Sequence, residues 1–253
     1  MSTQWMTTVK GRLRTGLYAA LGTNRAVYEC PICSYEGPFR NKPVNRKPGT
    51  ERADSKCTRC GSKERHRLLS LVFDSILNDE HIEDRKLLHF APEECLVPIL
   101  SQFAGTYHTT DLFMEGVDFT EDIHDLSFSD ASYDCVVISR VMTAIPDYRK
   151  AIGELRRITS PGGMLIISEA YIRDDTFDFE QQQGEFFREI GTDLLTLLQQ
   201  HFTRVDYHLP DAYPERYQMV NRILVDKSVY DSYPPLVRAE GVGYKELVAV
   251  CHV

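Results

Sequence analysis

The sequence predicts an α/β chain in which a small cysteine-rich module precedes a doubly wound, mostly parallel sheet. Three observations predict it. At Lys86 to Glu93 charged residues give way to the short apolar run Leu-Leu-His-Phe, which stops at an Ala-Pro turn, and continuous rather than alternating hydrophobicity marks a strand buried on both faces. Strand and helix patterns then alternate, the signature of parallel strands joined by crossover helices. Upstream, two C-x-x-C pairs lie within the first 60 residues.

Taken in order, Trp5 to Leu21 carries apolar residues at loosely helical spacing and ends at Gly22, so a short docking helix is expected. Cys30-Pro-Ile-Cys33 follows, and after 23 residues comes Cys57-Thr-Arg-Cys60-Gly61. Each pair can present two thiolates to one tetrahedral ion, and four thiolates close a structural zinc site with no position left for water. Two disulfides are the alternative, against which stands the absence of an export signature at Met1 to Thr8. The stretch Phe39 to Ser55 is rich in Arg, Lys, Pro and Asn and suits an exposed ribbon loop. With so few apolar residues, the metal would supply most of this module's folding free energy, on the order of 10 kcal/mol. Cys95, Cys135 and Cys251 sit in apolar segments and read as buried thiols.

Ser62 is placed to cap an amphipathic helix that includes Leu68 to Leu77 and leads to the sheet. Lys86–Phe90 is its first strand, Glu94 to Ala104 a crossover helix, and Thr106 to Thr110 the second strand, ending on Asp111. A carboxylate there, about 20 residues past the first turn, is where Rossmann-like proteins hold ribose hydroxyls. Ser132 to Ile138 reads as a fourth buried strand, Asp147 to Ile158 as a helix capped by Asp147, Ser160-Pro-Gly-Gly163 as a turn and Met164 to Glu169 as a fifth strand. Beyond it the acidic, aromatic stretch Tyr171 to Phe179 suits a mobile loop over a site, and Gly184 to His201 looks helical. Thr203 to Leu209 reads as a strand and Leu209 to Glu215 as a Pro-containing loop. Val220 to Val225 and Leu247 to His252 read as a closing antiparallel pair. The domain boundary is expected at 67/68, with the ribbon in residues 1–67 and the Rossmann-like domain in 68–253.

Charge is divided unevenly. Residues 1–67 carry 14 Lys and Arg against 5 Asp and Glu, a balance of +9, so the formal −8 of the chain leaves −17 on residues 68–253. The basic part can serve nucleic acid, an anionic substrate or attraction to the acidic part. No apolar run approaches the roughly 18 residues of a membrane span, and a cytoplasmic protein is expected. A serine nucleophile elbow, an H-E-x-x-H metal motif and a phosphate-binding G-x-x-x-x-G-K-[ST] are all missing from the sequence.

The order of these motifs resembles a family of bacterial S-adenosylmethionine-dependent class I methyltransferases with an N-terminal zinc ribbon. The resemblance rests on Cys-Pro-x-Cys, on a second pair followed by Gly-Ser-x-Glu-Arg-His-Arg, and on Leu-His-Phe-Ala-Pro-Glu, and it covers about Cys30 to Ser168. It implies S-adenosylmethionine as cofactor beside a structural zinc. A phosphate-free cofactor suits a turn at Phe90-Ala-Pro-Glu93 that lacks the glycines on which pyrophosphate is held. Under the resemblance His89, Phe90, Ala91 and Glu93 line the methionine and ribose side, and Asp111 with Leu112 holds the ribose. Asp122 and Ile123 flank adenine, while Ser139 and Arg140 lie at the next strand end. The alternative for Asp111 and Asp122 is that each merely caps a turn. Arg65 is a candidate clamp for the cofactor carboxylate, or a surface partner of Glu64 or Asp84. Tyr171 and Arg188 are candidates for the substrate, with packing roles as their alternative.

One departure from the family stands out. Where relatives resemble His-Val-Leu-Glu-His-Ile, this chain has Arg140-Val-Met-Thr-Ala-Ile145, without the carboxylate and imidazoles that would serve acid and base chemistry. Three functions follow: methylation of a small polar molecule, governed by proximity and orientation; RNA methylation with the basic ribbon on phosphates; or a binding protein without turnover. Transfer of a non-methyl group of the cofactor is a variant of the first. The acidic body and the lack of aromatic-basic interleaving in the ribbon favour the small molecule.

Overall fold

The computed structural model describes residues 13, 15–17, 25–43, 50–79, 85–171, 173–220, 222–225 and 245–253. The helix expected at Trp5 to Leu21 therefore lies almost wholly outside the described residues, although 13 and 15–17 are helical. The chain divides into two compact units. One holds Met1–Leu71 with Leu209–Glu246, the other Val72–His208 with Leu247–Val253.

The first unit contains the antiparallel pair β1 (Tyr28–Cys30) and β2 (Tyr35–Gly37), then β3 (Arg40–Pro43) and β4 (Thr50–Lys56). The boundary between the units falls inside helix α1 (Glu64–Asp79). The second unit continues with β5 (Lys86–Phe90), α2 (Val97–Leu100), β6 (Thr106–Thr110), β7 (Tyr133–Ser139), α3 (Tyr148–Ile158) and β8 (Thr159–Tyr171). The hairpin β9 (Phe177–Gln183) and β10 (Phe186–Glu189), α4 (Asp193–His201) and β11 (Arg204–His208) follow. After β12 (Arg222–Val225) in the first unit, β13 (Lys245–His252) returns to the second.

The central sheet has the order β11-β13-β8-β7-β5-β6. Strands β6, β5, β7 and β8 run parallel, and β11 pairs antiparallel with β13, so the sheet is mostly parallel and the fold α/β. From β5 the chain moves to β6 on one side and then returns to β7 on the other, which opens a crevice at the carboxyl ends of β5 and β7. Leu88, Phe90, Val136, Ile138, Leu165 and Ile167 form the core of one sheet face with Ala151, Ile152 and Leu155 of α3 and Leu194 and Leu198 of α4. Helix α3 starts as the sequence predicts, with the Asp147 carboxylate accepting from Lys150 N at 3.0 Å, and Arg156 and Arg157 stand in its last turn.

Several expectations are corrected. The crossover after β5 is only the four-residue α2 because Pro98 has no N–H to give to Glu94, and i→i+3 bonds tighten both ends, Leu96 N to Glu93 O and Phe103 N to Leu100 O. Residues 132–138 belong to the third strand of the sheet along the chain, since only the isolated bridge Thr110↔Phe119 lies between β6 and β7. The Ser160-Pro-Gly-Gly163 segment is not a free turn but part of β8, where Gly162 N donates to Val253 O and Val253 N to Gly163 O, each at 3.0 Å. Residues 177–189, expected as loop and helix, form the β9–β10 hairpin about Gly184, whose φ of +68° suits the turn. Helix α4 starts only after Gly191, which approaches the bend before β9 closely: a Cβ there would meet Asp174 O at 2.5 Å.

The strands expected to close the sheet together are separated. β12 pairs antiparallel with β4, Ile223↔Arg52 and Leu224↔Glu51, and belongs to the first unit, whereas β13 pairs with β11. Residues 209–215 contain short 3-10 turns at Pro210–Ala212 and from Glu215. Cys135 and Cys251 are buried, but Cys95 is only partly so.

Candidate functional site

The four paired cysteines converge. Cys30 Sγ lies 3.6 Å from Cys60 Sγ, Cys33 Sγ lies 3.7 Å from Cys57 Sγ, and all four sulfurs fall within 4.8 Å of one another. A tetrahedral ion with sulfur at about 2.3 Å needs sulfur-to-sulfur edges of about 3.8 Å, so the donor set fits zinc. Local backbone geometry produces this. Ser34 N donates to Cys30 O at 2.8 Å and Gly61 N to Cys57 O at 3.0 Å, and both residues are left-handed, φ +53° and +76°. The two knuckles thus turn alike around the same point.

Ser62, expected as a helix cap, is instead buried with its Oγ 3.3 Å from Cys30 Sγ and 3.2 Å from Cys60 Sγ. The reach-back at the start of α1 comes from His66, whose Nδ1 accepts from Lys63 N at 3.2 Å. Hydrogen bonds from Cys33, then Cys57 and Cys60, hold the Cys30 thiol far below its ordinary range, and Cys30 pushes the Cys57 thiol up. Arg67 is fully buried nearby. It donates from Nε to Tyr217 O at 2.8 Å, from one terminal nitrogen to Ser62 O at 2.9 Å and Ser55 O at 3.1 Å, and from the other to Gln218 O, with its guanidinium 4.7 Å from the Phe39 ring.

In the second unit polar groups stand toward the carboxyl ends of four adjacent strands: His89 on β5, Ser139 on β7 and Ser168 on β8, which the register puts on one sheet face, and Thr110 on β6, on the other. All four residues are buried. His89 Nε2 and the three hydroxyls have no hydrogen-bond partner among the described residues, an uncommon condition for buried polar atoms and one that a bound ligand relieves. His89 Nδ1 is bonded to the Tyr107 hydroxyl at 2.9 Å. Burial pulls the His89 imidazole down to about 4, with Glu93 opposing, and burial pushes the Tyr107 phenol up, so both are neutral at pH 7.

Two strand ends bordering the crevice stop in the same way. Ala91, φ +47°, donates its N–H to Thr110 O at 2.9 Å, and Arg140, φ +61°, donates its own to Ser168 O at 2.8 Å. Left-handed conformations outside glycine are uncommon and cluster at binding sites. Asp111 follows β6 with Oδ1 accepting from Phe113 N at 2.7 Å and Met114 N at 2.8 Å. It is the turn cap that the sequence allowed, and its second oxygen has no partner among the described residues. Leu112 and Phe113 beyond it are exposed, Phe113 at 88%. Asp122 also caps a turn, accepting from His124 N at 2.9 Å and His124 Nδ1 at 2.7 Å, and these bonds hold its carboxyl below the usual range. Phe90 and Ile123 are buried in the sheet core, so Phe90 contributes its backbone to the crevice. Glu93 closes the turn with its carbonyl accepting from Leu96 N and Val97 N, and Tyr171 ends β8 half-buried. Arg65 sits in the first turn of α1, in the first unit.

Arg188, a candidate for substrate, is corrected. It is 5% exposed and its guanidinium is committed: to the Asp178 carboxylate at 2.6 Å, and to the carbonyls of Met142, Ile145 and Pro146 at 2.8, 2.5 and 2.6 Å, over the Tyr148 ring. Glu169 Oε1 accepts from Met142 N at 2.8 Å and Phe187 N donates to Thr143 O at 2.9 Å. The departing segment Arg140 to Ile145 is therefore a loop shaped by Arg188 and Glu169. Thr110, Ser168 and Glu169 were not singled out by sequence reading, because a hydroxyl or carboxylate at a strand end has no local signal of its own.

A family model described as "Methyltransferase domain" matches residues 100–167. The match contains Asp111, Asp122, Ser139 and Arg140 and excludes the cysteine knuckles. Demethylmenaquinone methyltransferase of Bacillus velezensis is 33% identical over 66 residues, 26% of this chain and 28% of that protein. An uncharacterized 37.1 kDa protein of a Streptomyces fradiae transposon is 38% identical over 58 residues, 23% of this chain and 17% of that protein. The chain thus spans less than a third of each of these relatives. Among solved structures, the YcgJ protein of Bacillus subtilis aligns with a TM-score of 0.49 at 13% identity, over 74% of this chain and 99% of that one.

Proposed function

We propose that the chain is an S-adenosylmethionine-dependent methyltransferase acting on a small polar molecule, with a structural zinc in its cysteine knuckles. The observation that carries the reading is the set of orphaned polar atoms of His89, Ser139 and Ser168 on one sheet face, with Thr110 on the other, toward the carboxyl ends of four parallel strands, within and beside a stretch matched by a methyltransferase-domain model. The bound cofactor supplies a methyl group on a sulfonium. His89, neutral and buried, can bond a polar group of the ligand without placing a second cation near that sulfonium. The free oxygen of Asp111 accepts from ribose, and Leu112 offers apolar cover beside it. Ser139 and Ser168 are placed to bond the methionine end, and the left-handed turns at Ala91 and Arg140 lead the backbone away from the crevice. Asp122 and Ile123 flank adenine, and Tyr171 is the remaining candidate for contact with substrate. Arg188 acts as a positioning residue for 142–146. Cys30, Cys33, Cys57 and Cys60 hold zinc as a structural ion. Supporting a small substrate over RNA is the −17 of residues 68–253, which repels a polyanion.

Calorimetric titration with S-adenosylmethionine and S-adenosylhomocysteine tests the cofactor. Binding of both is expected, with Asp111→Ala weakening it about ten- to a hundredfold, as loss of a charged hydrogen bond does. Absence of binding by either molecule to folded protein would refute the reading. Labelled cofactor offered with a metabolite extract then reports the acceptor.

A further inference from the structure

Ser62 stands between the two cysteine knuckles without belonging to either tetrad. Its Oγ lies 3.3 Å from Cys30 Sγ of the first and 3.2 Å from Cys60 Sγ of the second, and the residue is fully buried. Among the described residues it is the one group outside the four cysteines that hydrogen-bonds their sulfurs. It therefore links one sulfur from each of two pairs that 23 residues of sequence separate.

The backbone fixes the serine in that place. Its carbonyl accepts from Cys57 N at 2.9 Å and from a terminal nitrogen of Arg67 at 2.9 Å, and the same nitrogen reaches Ser55 O at 3.1 Å. The rest of the buried guanidinium is held by Tyr217 O and Gln218 O. Arg67 cannot swing aside without giving up bonds to four carbonyls at once, and buried carbonyls left without donors are costly. Ser62 is thus clamped by its main chain, and its hydroxyl is confined to the space beside Cys30 and Cys60.

A hydroxyl brings one donor hydrogen and two acceptor lone pairs. Toward a protonated thiol it can accept, the direction in which Cys60 Sγ meets it. Toward a thiolate it can only donate, and cysteine binds metal as the thiolate. The bond to sulfur is then a charge-assisted one. It draws charge from the sulfur and fixes its direction, which is how groups behind a metal's ligands set affinity and donor strength. We propose that Ser62 is the positioning residue of the metal centre, orienting Cys30 and Cys60 toward the ion and lowering the electron-donor strength of their sulfurs, with Arg67 as the clamp that holds it there. The proposal rests on the zinc reading of the knuckles.

The test uses the full chain loaded with zinc, or with cobalt(II) in its place. In competition with a chelator, Ser62→Ala should bind zinc about 10- to 100-fold more weakly than the wild type. In the cobalt protein the sulfur-to-metal charge-transfer band of Ser62→Ala should move to lower energy, because sulfurs that lose a donor give up electrons more readily. Thr58→Val is the control. Thr58 is buried in the same knuckle, but its hydroxyl donates to Pro38 O at 2.7 Å, so this variant loosens the module without removing a bond to sulfur and should leave the band in place. A zinc-binding wild type matched by Ser62→Ala in affinity and band position would overturn this proposal alone. A folded wild type that takes up no zinc would overturn it together with the zinc reading. Weaker zinc binding with an unmoved band would overturn it as well, since Ser62 would then act by packing. If Ser62→Ala fails to fold, NMR of the cadmium-loaded wild type decides: scalar coupling between cadmium and the Ser62 hydroxyl proton is expected, and its absence would overturn the proposal.

Discussion

The cysteine knuckles and the sheet crevice are two ways of building a binding site, and they differ in where the information lies. In the knuckles, four thiols come from two tetrads of sequence, each closed by its own left-handed residue, Ser34 or Gly61. In the crevice the polar atoms come from positions 89, 139 and 168, which the strand register puts on one sheet face, and from position 110 on the other face. The first site is assembled locally, from residues a few positions apart. The second is assembled by a large apolar core, which buries polar groups that are left unsatisfied among the described residues.

The sharpest test of that difference is removal of a ligand from each. Cys57→Ser should abolish stoichiometric zinc and cause loss of soluble protein, since a site of this kind contributes on the order of 10 kcal/mol to a module with a small core. Around the sulfurs that core is chiefly Tyr35 and Phe39, with Tyr28 and Ile32 at its edge. Metal analysis of the purified wild type should give one zinc per chain. A metal-free, fully folded wild type would place both sites in the same class, each a groove in a self-sufficient fold.

In the crevice the expected effect is smaller and depends on pH. His89 is buried and neutral, with its imidazole pulled down to about 4 from an ordinary 6.5. Folding therefore favours the unprotonated form, so the stability tied to it is fully present above pH 6.5. It is lost as pH falls from 6.5 toward 4, by about 3 kcal/mol in all at 1.36 kcal/mol per pH unit. Urea midpoints at pH 7 and pH 5 should fall more in the wild type than in His89→Gln, which keeps a partner for Tyr107 and cannot charge. Equal acid sensitivity in both would remove His89 as the titrating group.

The same contrast explains what was legible in the sequence. The knuckles were, because spacing alone sets their geometry, and so were β5, β6, β7 and α3, where apolar runs and the Asp147 cap act over a few residues. The β9–β10 hairpin was not: Phe186, Phe187 and Ile190 have the spacing of a helical face, and the turn at Gly184 overrides it. Nor was the partner of β12, since Val220 to Val225 is as apolar as a sheet strand and only its pairing with Ala53 to Thr50 assigns it to the first unit. Arg188 illustrates the limit at the site itself. An arginine after an aromatic loop suits a ligand contact, and only the three carbonyls it meets reveal a structural clamp.

The smallest effect concerns the two left-handed residues that the sites use differently, Gly61 in a knuckle and Ala91 in the crevice. A Cβ at Gly61 would meet nothing within 4 Å, so Gly61→Ala, at φ +76°, changes backbone conformational energy without a clash. It should destabilise the zinc-loaded protein by about 1 kcal/mol. Ala91, at φ +47°, already bears that strain. In Ala91→Gly the relief of about 1–2 kcal/mol is offset by the greater freedom of glycine in the unfolded chain, about 0.4–1 kcal/mol. The net expectation is a gain of up to about 1.6 kcal/mol in chemical denaturation, opposite in sign to Gly61→Ala. Strain retained at a turn where glycine would be easier suggests that the crevice gains from a fixed backbone, and cofactor affinity measured on the same variant separates the two. A more stable but weaker-binding Ala91→Gly would mean that the left-handed turn is held for the ligand. A variant less stable than the wild type would show that the Ala91 methyl group contributes packing that outweighs its backbone strain.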